Sequence, residues 1–198
     1  MNVMPGPVPN LIVVAGPNGA GKTTAAANLL VGALSVQEFV NADIIAKGLS
    51  AFRPESVAIQ AGRVMLERLH RLTAERADVA FETTLASRSF APWIKTLIES
   101  GYAFRIVFFW LPSADMAVAR VNKRVVEGGH AVPEPVIRRR YEAGLKNFFH
   151  IYYPLAATWG FYDNSSGVSP RLIASGSFDQ ATIIADPNLW DNINRLWN

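Results

Sequence analysis

Residues 16–23, Gly16-Pro17-Asn18-Gly19-Ala20-Gly21-Lys22-Thr23, fit an eight-position pattern: a glycine, four free positions, then Gly-Lys-Ser/Thr. Each type has a task there. The glycines let successive backbone amides of 16–24 converge on phosphate oxygens, and a helix opening at Lys22 adds the partial positive charge of its N-terminus. Lys22 neutralises β and γ phosphates, the Thr23 hydroxyl is suited to magnesium, and Thr24 completes the cradle. The chemistry is binding of a nucleoside triphosphate. Two carboxylates follow, Asp43 and Glu82, each just after a short apolar run.

The elements that must position these groups are legible in the apolar pattern. Residues 11–15 read as a buried strand entering the tight loop, and 22–34 as an Ala/Leu-rich helix. A second strand covers 38–40 and a third 79–81. Between them a helix opens at Pro54, with apolar or small residues at Val57, Ala58, Ala61, Val64, Met65, Leu69 and Leu72. Residues 89–99 read as a helix stopped by Gly101, and 104–111 as a fourth strand closed by Pro112. A helix over 113–127 takes Ser113 as its cap and stops at Gly128-Gly129; another runs from Pro133 or Pro135 to about 150. Short strands are expected at 160–162 and 171–174, and a last helix at 188–197.

Strands alternating with helices of this length imply right-handed crossovers, so the expected class is α/β: a three-layer phosphate-loop fold with a parallel sheet between helices. The expected organisation is one kinase domain over 1–198, with a helical lid at 113–148 inside it. Asp43 and Glu82 then lie at the carboxyl edge of the sheet, where open α/β folds bind ligands. Asp43 is assigned as the catalytic base that orients an acceptor hydroxyl; the alternative is a cap for a helix starting at 44. Glu82, with Thr83 and Thr84, is assigned to the acceptor or to water-mediated support of magnesium. Its alternative is a structural pair with a lid arginine.

Composition narrows the class. The 19 Lys+Arg and 16 Asp+Glu give a net charge of +3, half of the 198 residues are hydrophobic, and there is no cysteine. No apolar run approaches the ~18 residues of a membrane span, and residues 1–10 lack the charged start and apolar core of a secretory signal. A cytoplasmic enzyme without disulfides or membrane contact is expected. The basic excess is local: 115–146 holds seven cations against four carboxylates. Arg120, Lys123 and Arg124 share a helical face that a triphosphate would neutralise, unless Glu127 and the helix dipole balance it. Of Arg138, Arg139 and Arg140, at most two can enter one cleft.

The only Asn-Lys, Asn122-Lys123, continues Arg124-Val125 rather than as a guanine reader, and the third strand ends Phe81-Glu82 without the aspartate of motor ATPases. A small-molecule kinase using ATP and Mg2+ fits better, with Lys22, Asp43 and a lid arginine, Arg120 or Arg124, doing the work.

Four segments in order, AGPNGAGKTT (15–24), Asn41-Ala42-Asp43, FETTLASRS (81–89) and GGHAVPEPVIRRRY (128–141), resemble the zeta toxin family of phosphate-loop kinases. The resemblance covers about 11–164. It implies a parallel sheet with a lid, ATP as donor and a sugar hydroxyl of UDP-N-acetylglucosamine as acceptor. By position it implies phosphate and magnesium ligands at Lys22 and Thr23, the base at Asp43, acceptor contacts at Glu82 and Thr84, and a lid arginine at Arg120 or Arg124. Toxin members are held by a small helical antitoxin, a partner this sequence does not itself show. Where the toxins carry an arginine two positions past Thr84, this chain has Ala86, with Arg88 two residues on as the replacement substrate contact. A second toxin arginine aligns near His130. The rival readings are a polynucleotide kinase, whose nucleic-acid affinity would fall steeply with salt, and an ATP-switched binding module. Most of the aromatics Trp93, Trp110, Trp159, Phe148 and Phe149 are assigned to packing rather than to base stacking.

Overall fold

Residues 11–15 are apolar on both sides of the pleat because both faces of their strand are covered, each being at most 1% exposed. They form β1 (Asn10–Ala15), an interior strand of a seven-stranded sheet in a computed structural model that describes residues 7–28, 36–178 and 180–197. β2 (Glu38–Val40), β3 (Val79–Thr83), β4 (Ala103–Trp110) and β5 (Thr158–Asp163) lie parallel to it in the order β2-β3-β1-β4-β5. The register sets the site: Val14 pairs with Glu82 and Ala15 with Thr83, so the phosphate loop leaves the sheet beside the Glu82 carboxylate.

The sheet is mixed, a correction to the expected parallel one. β6 (Arg171–Ser177) pairs antiparallel to β5, and β7 (Gln180–Ile184) antiparallel to β6. Residues 180–184, held at an edge by one neighbour, carry no long apolar run that would mark a strand. The expected strands at 160–162 and 171–174 are longer pieces, β5 and β6.

The helices are α1 (Lys22–Asn28), α2 (Ala42–Leu49), α3 (Ala58–Ala74), α4 (Phe90–Glu99), α5 (Ala114–Val126), α6 (Glu134–Asn147) and α7 (Pro187–Trp197). The expected extension of the first helix to 34 falls on residues 29–35, outside the described ones. Pro54 opens a 3-10 turn (Pro54–Val57) that leads into α3. Ser113 caps α5 as expected, its hydroxyl accepting from Met116 N at 3.1 Å. Past α6 the chain continues as a π-helical turn (Phe148–Tyr152) before β5.

The aromatic residues fill the core around this frame. Trp110 and Trp159 are each 7% exposed, and Phe148 packs on Phe108 and Phe161 with ring centroids 4.9 and 5.2 Å away. Four of these five aromatics are thus buried, with Trp93 partly so, and none forms a stacking platform. No helix among the described residues is long and apolar enough to cross a membrane.

Candidate functional site

β1 ends at Ala15 and the loop turns at Gly16, whose φ of +139° is open to glycine alone; a Cβ there would lie 2.2 Å from the Phe109 carbonyl oxygen. The loop therefore packs directly against the backbone of β4. Gly19 and Gly21 also take positive φ, and Ala20 N bonds back to Pro17 O at 3.2 Å. Lys22 starts α1, and its ammonium donates to Pro17 O at 2.9 Å, curling the side chain over the loop.

Glu82, at the end of β3, faces this loop. Its Oε1 lies 3.5 Å from Lys22 Nζ, while Oε2 accepts from Thr23 Oγ1 at 2.7 Å and from Asn41 Nδ2 at 2.8 Å. Glu82 thus pairs with the loop lysine and not with a lid arginine. Lys22 is 6% exposed, and burial pushes its pKa down, opposed by the nearby Glu82 and Asp43 carboxylates.

Asn41 takes the cap position of the helix that follows β2. Its Oδ1 accepts from the backbone N–H of Asp43 at 2.8 Å and of Ile44 at 3.2 Å, so Asn41, in extended backbone, caps α2. Asp43 stands in the first turn with no hydrogen bond or ion pair to its carboxylate among the described residues, and the capping alternative for it is excluded. A cavity of about 610 Å³ brings the site together: the phosphate loop, Asp43, Glu82, Thr83 and Thr84 line it, together with Arg120, Arg124, His130 and Arg140.

The arginines separate by partner. Arg120 donates to Asn164 O at 2.8 Å and Ser165 O at 2.6 Å, with a longer bond to Gly19 O at 3.5 Å. It is a brace behind the loop, with carbonyls on both amino groups. Arg124 donates to His130 O at 2.9 Å, and its Nε is buried without a partner among the described residues. Arg138 pairs with Asp115 at 2.6 Å and Glu134 at 2.8 Å, Arg139 is exposed, and Arg140 enters the cavity. One member of the triplet therefore enters the cleft.

Arg88, expected at the substrate, lies elsewhere. After β3 the chain turns at Leu85, with φ +56°, and Arg88 Nε reaches Asn147 Oδ1 at 3.3 Å, outside the residues lining the cavity. Sequence reasoning missed Arg140 as the cavity arginine, Lys47 one turn beyond Asp43, and Asn164, whose side chain reaches the loop from β5. Arg140 carried a signal, since 100° spacing lets few of three consecutive arginines share a cleft. Asn164 carried none, because its contact joins residues 144 apart in sequence.

Between α5 and α6, His130 lines the cavity, and its Nδ1 lies 3.7 Å from Glu55 Oε2 on the 3-10 turn. Thr23 and Glu82 offer two hard oxygen donors at the loop, a set that fits magnesium, which takes one or two carboxylate or hydroxyl ligands plus phosphates and water. The arrangement can neutralise a polyphosphate on one wall and present a free carboxylate beside it.

Comparison with known proteins bears on the fold. An uncharacterized protein of Haemophilus influenzae is 28% identical over 130 residues, covering 66% of this chain and 91% of its own. Among solved structures, the AvrRxo1-ORF1:AvrRxo1-ORF2 assembly with sulphate ions superposes with a TM-score of 0.74 at 17% identity, covering 93% of this chain. This chain spans 63% of that neighbour's length, and the same assembly solved with ATP gives a TM-score of 0.68. The PezAT chromosomal toxin-antitoxin system of Streptococcus pneumoniae gives 0.62 at 12% identity, covering 98% of this chain and 86% of that one. These likenesses are of fold, and the fold is that of a phosphate-loop kinase-like protein. A family model described as AAA domain, AAA_33, matches residues 11–148, from β1 to just past α6, and to that family the chain belongs.

Proposed function

We propose that this protein is an ATP-dependent small-molecule kinase that transfers the γ-phosphoryl group to a hydroxyl of a nucleotide sugar or related metabolite. The observation that carries the reading is the Asp43 carboxylate, unpaired among the described residues, on the wall of the cavity that also holds Lys22. A carboxylate without a partner beside a phosphate cradle has a hydroxyl proton as its natural target.

In this reading the backbone N–H groups of the loop and the Lys22 ammonium bind the phosphates, and Thr23 and Glu82 would hold a magnesium ion, which would add charge neutralisation. Asp43 orients the acceptor hydroxyl and takes its proton. The acceptor oxygen bonds to phosphorus as the bond from phosphorus to the ADP oxygen breaks. Arg124 and Arg140 face the phosphates from the lid, and the contact of His130 with Glu55 helps to exclude water. Thr84, at the same wall, is left for the acceptor. Arg120 acts as a brace, and Arg88 is dropped from the acceptor set.

A cavity of about 610 Å³ whose lining includes His130 and Arg140 supports a small acceptor over a nucleic-acid end. The nucleotide sugar rests on the four motif segments that resemble zeta toxins, as does an antitoxin partner. The experiment is mass spectrometry of UDP-N-acetylglucosamine and of a metabolite extract after incubation with the protein and MgATP, with Lys22→Ala as blank. One added phosphoryl group on a small molecule, absent from the blank, is the expected result. A phosphorylated oligonucleotide end instead, or no transfer by protein that binds ATP, would reject the proposal.

A further inference from the structure

The phosphate loop is held from behind by a second contact, independent of Lys22. Asn164, one residue past β5, is 7% exposed, and its Nδ2 donates to the Ala20 carbonyl at 2.7 Å. Its own backbone is fixed twice. Asn164 N donates to Trp110 O at 3.1 Å at the end of β4, and Asn164 O accepts from Arg120 at 2.8 Å. Arg120 also takes Ser165 O, and its remaining contact is to Gly19 O on the loop. The turn after β5, helix α5 and the phosphate loop therefore form one closed circuit of hydrogen bonds. Ser165 N adds a bond to Asp163 Oδ1 at 2.8 Å, closing the turn on the end of β5.

The loop sequence matches this brace. A Cβ on Gly21 would lie 2.7 Å from Asn164 Nδ2, and one on Gly19 would lie 2.9 Å from Ala117 O and 3.1 Å from the Arg120 Cβ. The loop has no room to relax toward either partner. When the Ala20 carbonyl is pulled to the rear by Asn164, the peptide it belongs to turns its N–H, that of Gly21, to the opposite side. That side is where a bound polyphosphate belongs.

We infer that Asn164 is a positioning residue of the phosphate loop: its carboxamide fixes the Ala20–Gly21 peptide so that the loop amides face the phosphates before nucleotide arrives. The inference rests on the proposed function, because it takes the loop as a polyphosphate site. Asn164 touches no reacting atom; it acts through the loop.

The test compares wild type, Asn164→Asp and Asn164→Ala for binding of MgATP and of inorganic tripolyphosphate, by titration calorimetry on protein shown folded by circular dichroism. Asparagine to aspartate keeps the shape and replaces a donor with an anion against the Ala20 carbonyl. The expected result is about a tenfold or larger loss of affinity for both ligands in Asn164→Asp and a smaller loss in Asn164→Ala. The KM of the phosphoryl acceptor stays unchanged. Equal loss for the ligand without a base is the signature of the phosphate cradle.

Full affinity for both ligands in folded Asn164→Ala would overturn the inference, as would a loss confined to MgATP, which would place the effect at the base. A general structural role would lower the melting temperature and leave the affinities of folded protein unchanged, which also rejects it. Wild-type protein that binds neither ligand would overturn both the inference and the proposed function. Wild type that binds both, with variants that bind equally well, would overturn the inference alone.

Discussion

Thr23 and Glu82, 59 residues apart in sequence, share a hydrogen bond of 2.7 Å, and the same carboxylate lies 3.5 Å from Lys22 Nζ. A strand-end acid thus occupies both side chains that the phosphate loop would offer to a nucleotide. Glu82 both orders the loop side chains and competes with the incoming phosphate for them.

Glu82→Gln is expected to bind ATP at least as tightly as wild type, since an anion has been removed from the cradle. Phosphoryl transfer should fall by roughly 10²-fold, the scale of removing one electrostatic partner of the reacting group. Calorimetry and a steady-state assay check the two halves separately. Weakened ATP binding would show that Glu82 is needed to form the cradle itself.

Burial holds the Lys22 pKa below the ordinary lysine value despite the nearby Glu82 and Asp43. In nucleotide-free protein the folded state therefore releases this proton at lower pH than the unfolded chain. Between the two values the unfolded chain binds more protons, so stability rises with pH in that window and the burial cost is fully present below it. Wild type should gain stability relative to Lys22→Met as pH rises through the alkaline range, and its ATP affinity should fall over the same range as the ammonium is lost. Melting curves across that range check the first; parallel slopes for the two proteins would contradict it.

A Cβ at Gly144 would lie 2.4 Å from the Thr84 carbonyl oxygen, so α6 touches the end of β3 directly at that point. Gly144→Ala should push α6 away, moving Arg140 from the cavity and destabilising by about 1–3 kcal/mol. Gly48 is the control: it lies in α2 with nothing within 4 Å of its Cβ position. Gly48→Ala should stabilise by up to ~1 kcal/mol through helix propensity. Denaturant unfolding of both variants reads the opposite signs.

What the sequence discloses follows from range. Strand, loop and helix over 10–28 are read from neighbouring residues, and Asp43 and Glu82 fall at strand ends that a short apolar run marks. Residues whose role is set across the sheet are another matter. Arg120 and Arg124 have the same spacing logic on α5, yet one is a brace and the other reaches the lid tip, because only Arg120 faces the carbonyls of 164 and 165. Arg88 sits four residues from Thr84, a spacing that suggests the acceptor, but a left-handed residue at Leu85 turns that segment toward Asn147. β7 is illegible in the sequence for a related reason: an edge strand needs no continuous apolar run, so 180–184 has no pattern to read.

The central claim is that Asp43 is the base, and Asp43→Asn tests it most directly. The exchange keeps the size of the side chain and its place after the Asn41 cap, while removing the charge that takes the proton. With MgATP binding measured by calorimetry and transfer measured on the acceptor found by mass spectrometry, the account predicts ATP affinity close to wild type and transfer lower by roughly 10²- to 10⁴-fold. Transfer near the wild-type rate in Asp43→Asn would contradict it and move the role to Glu82.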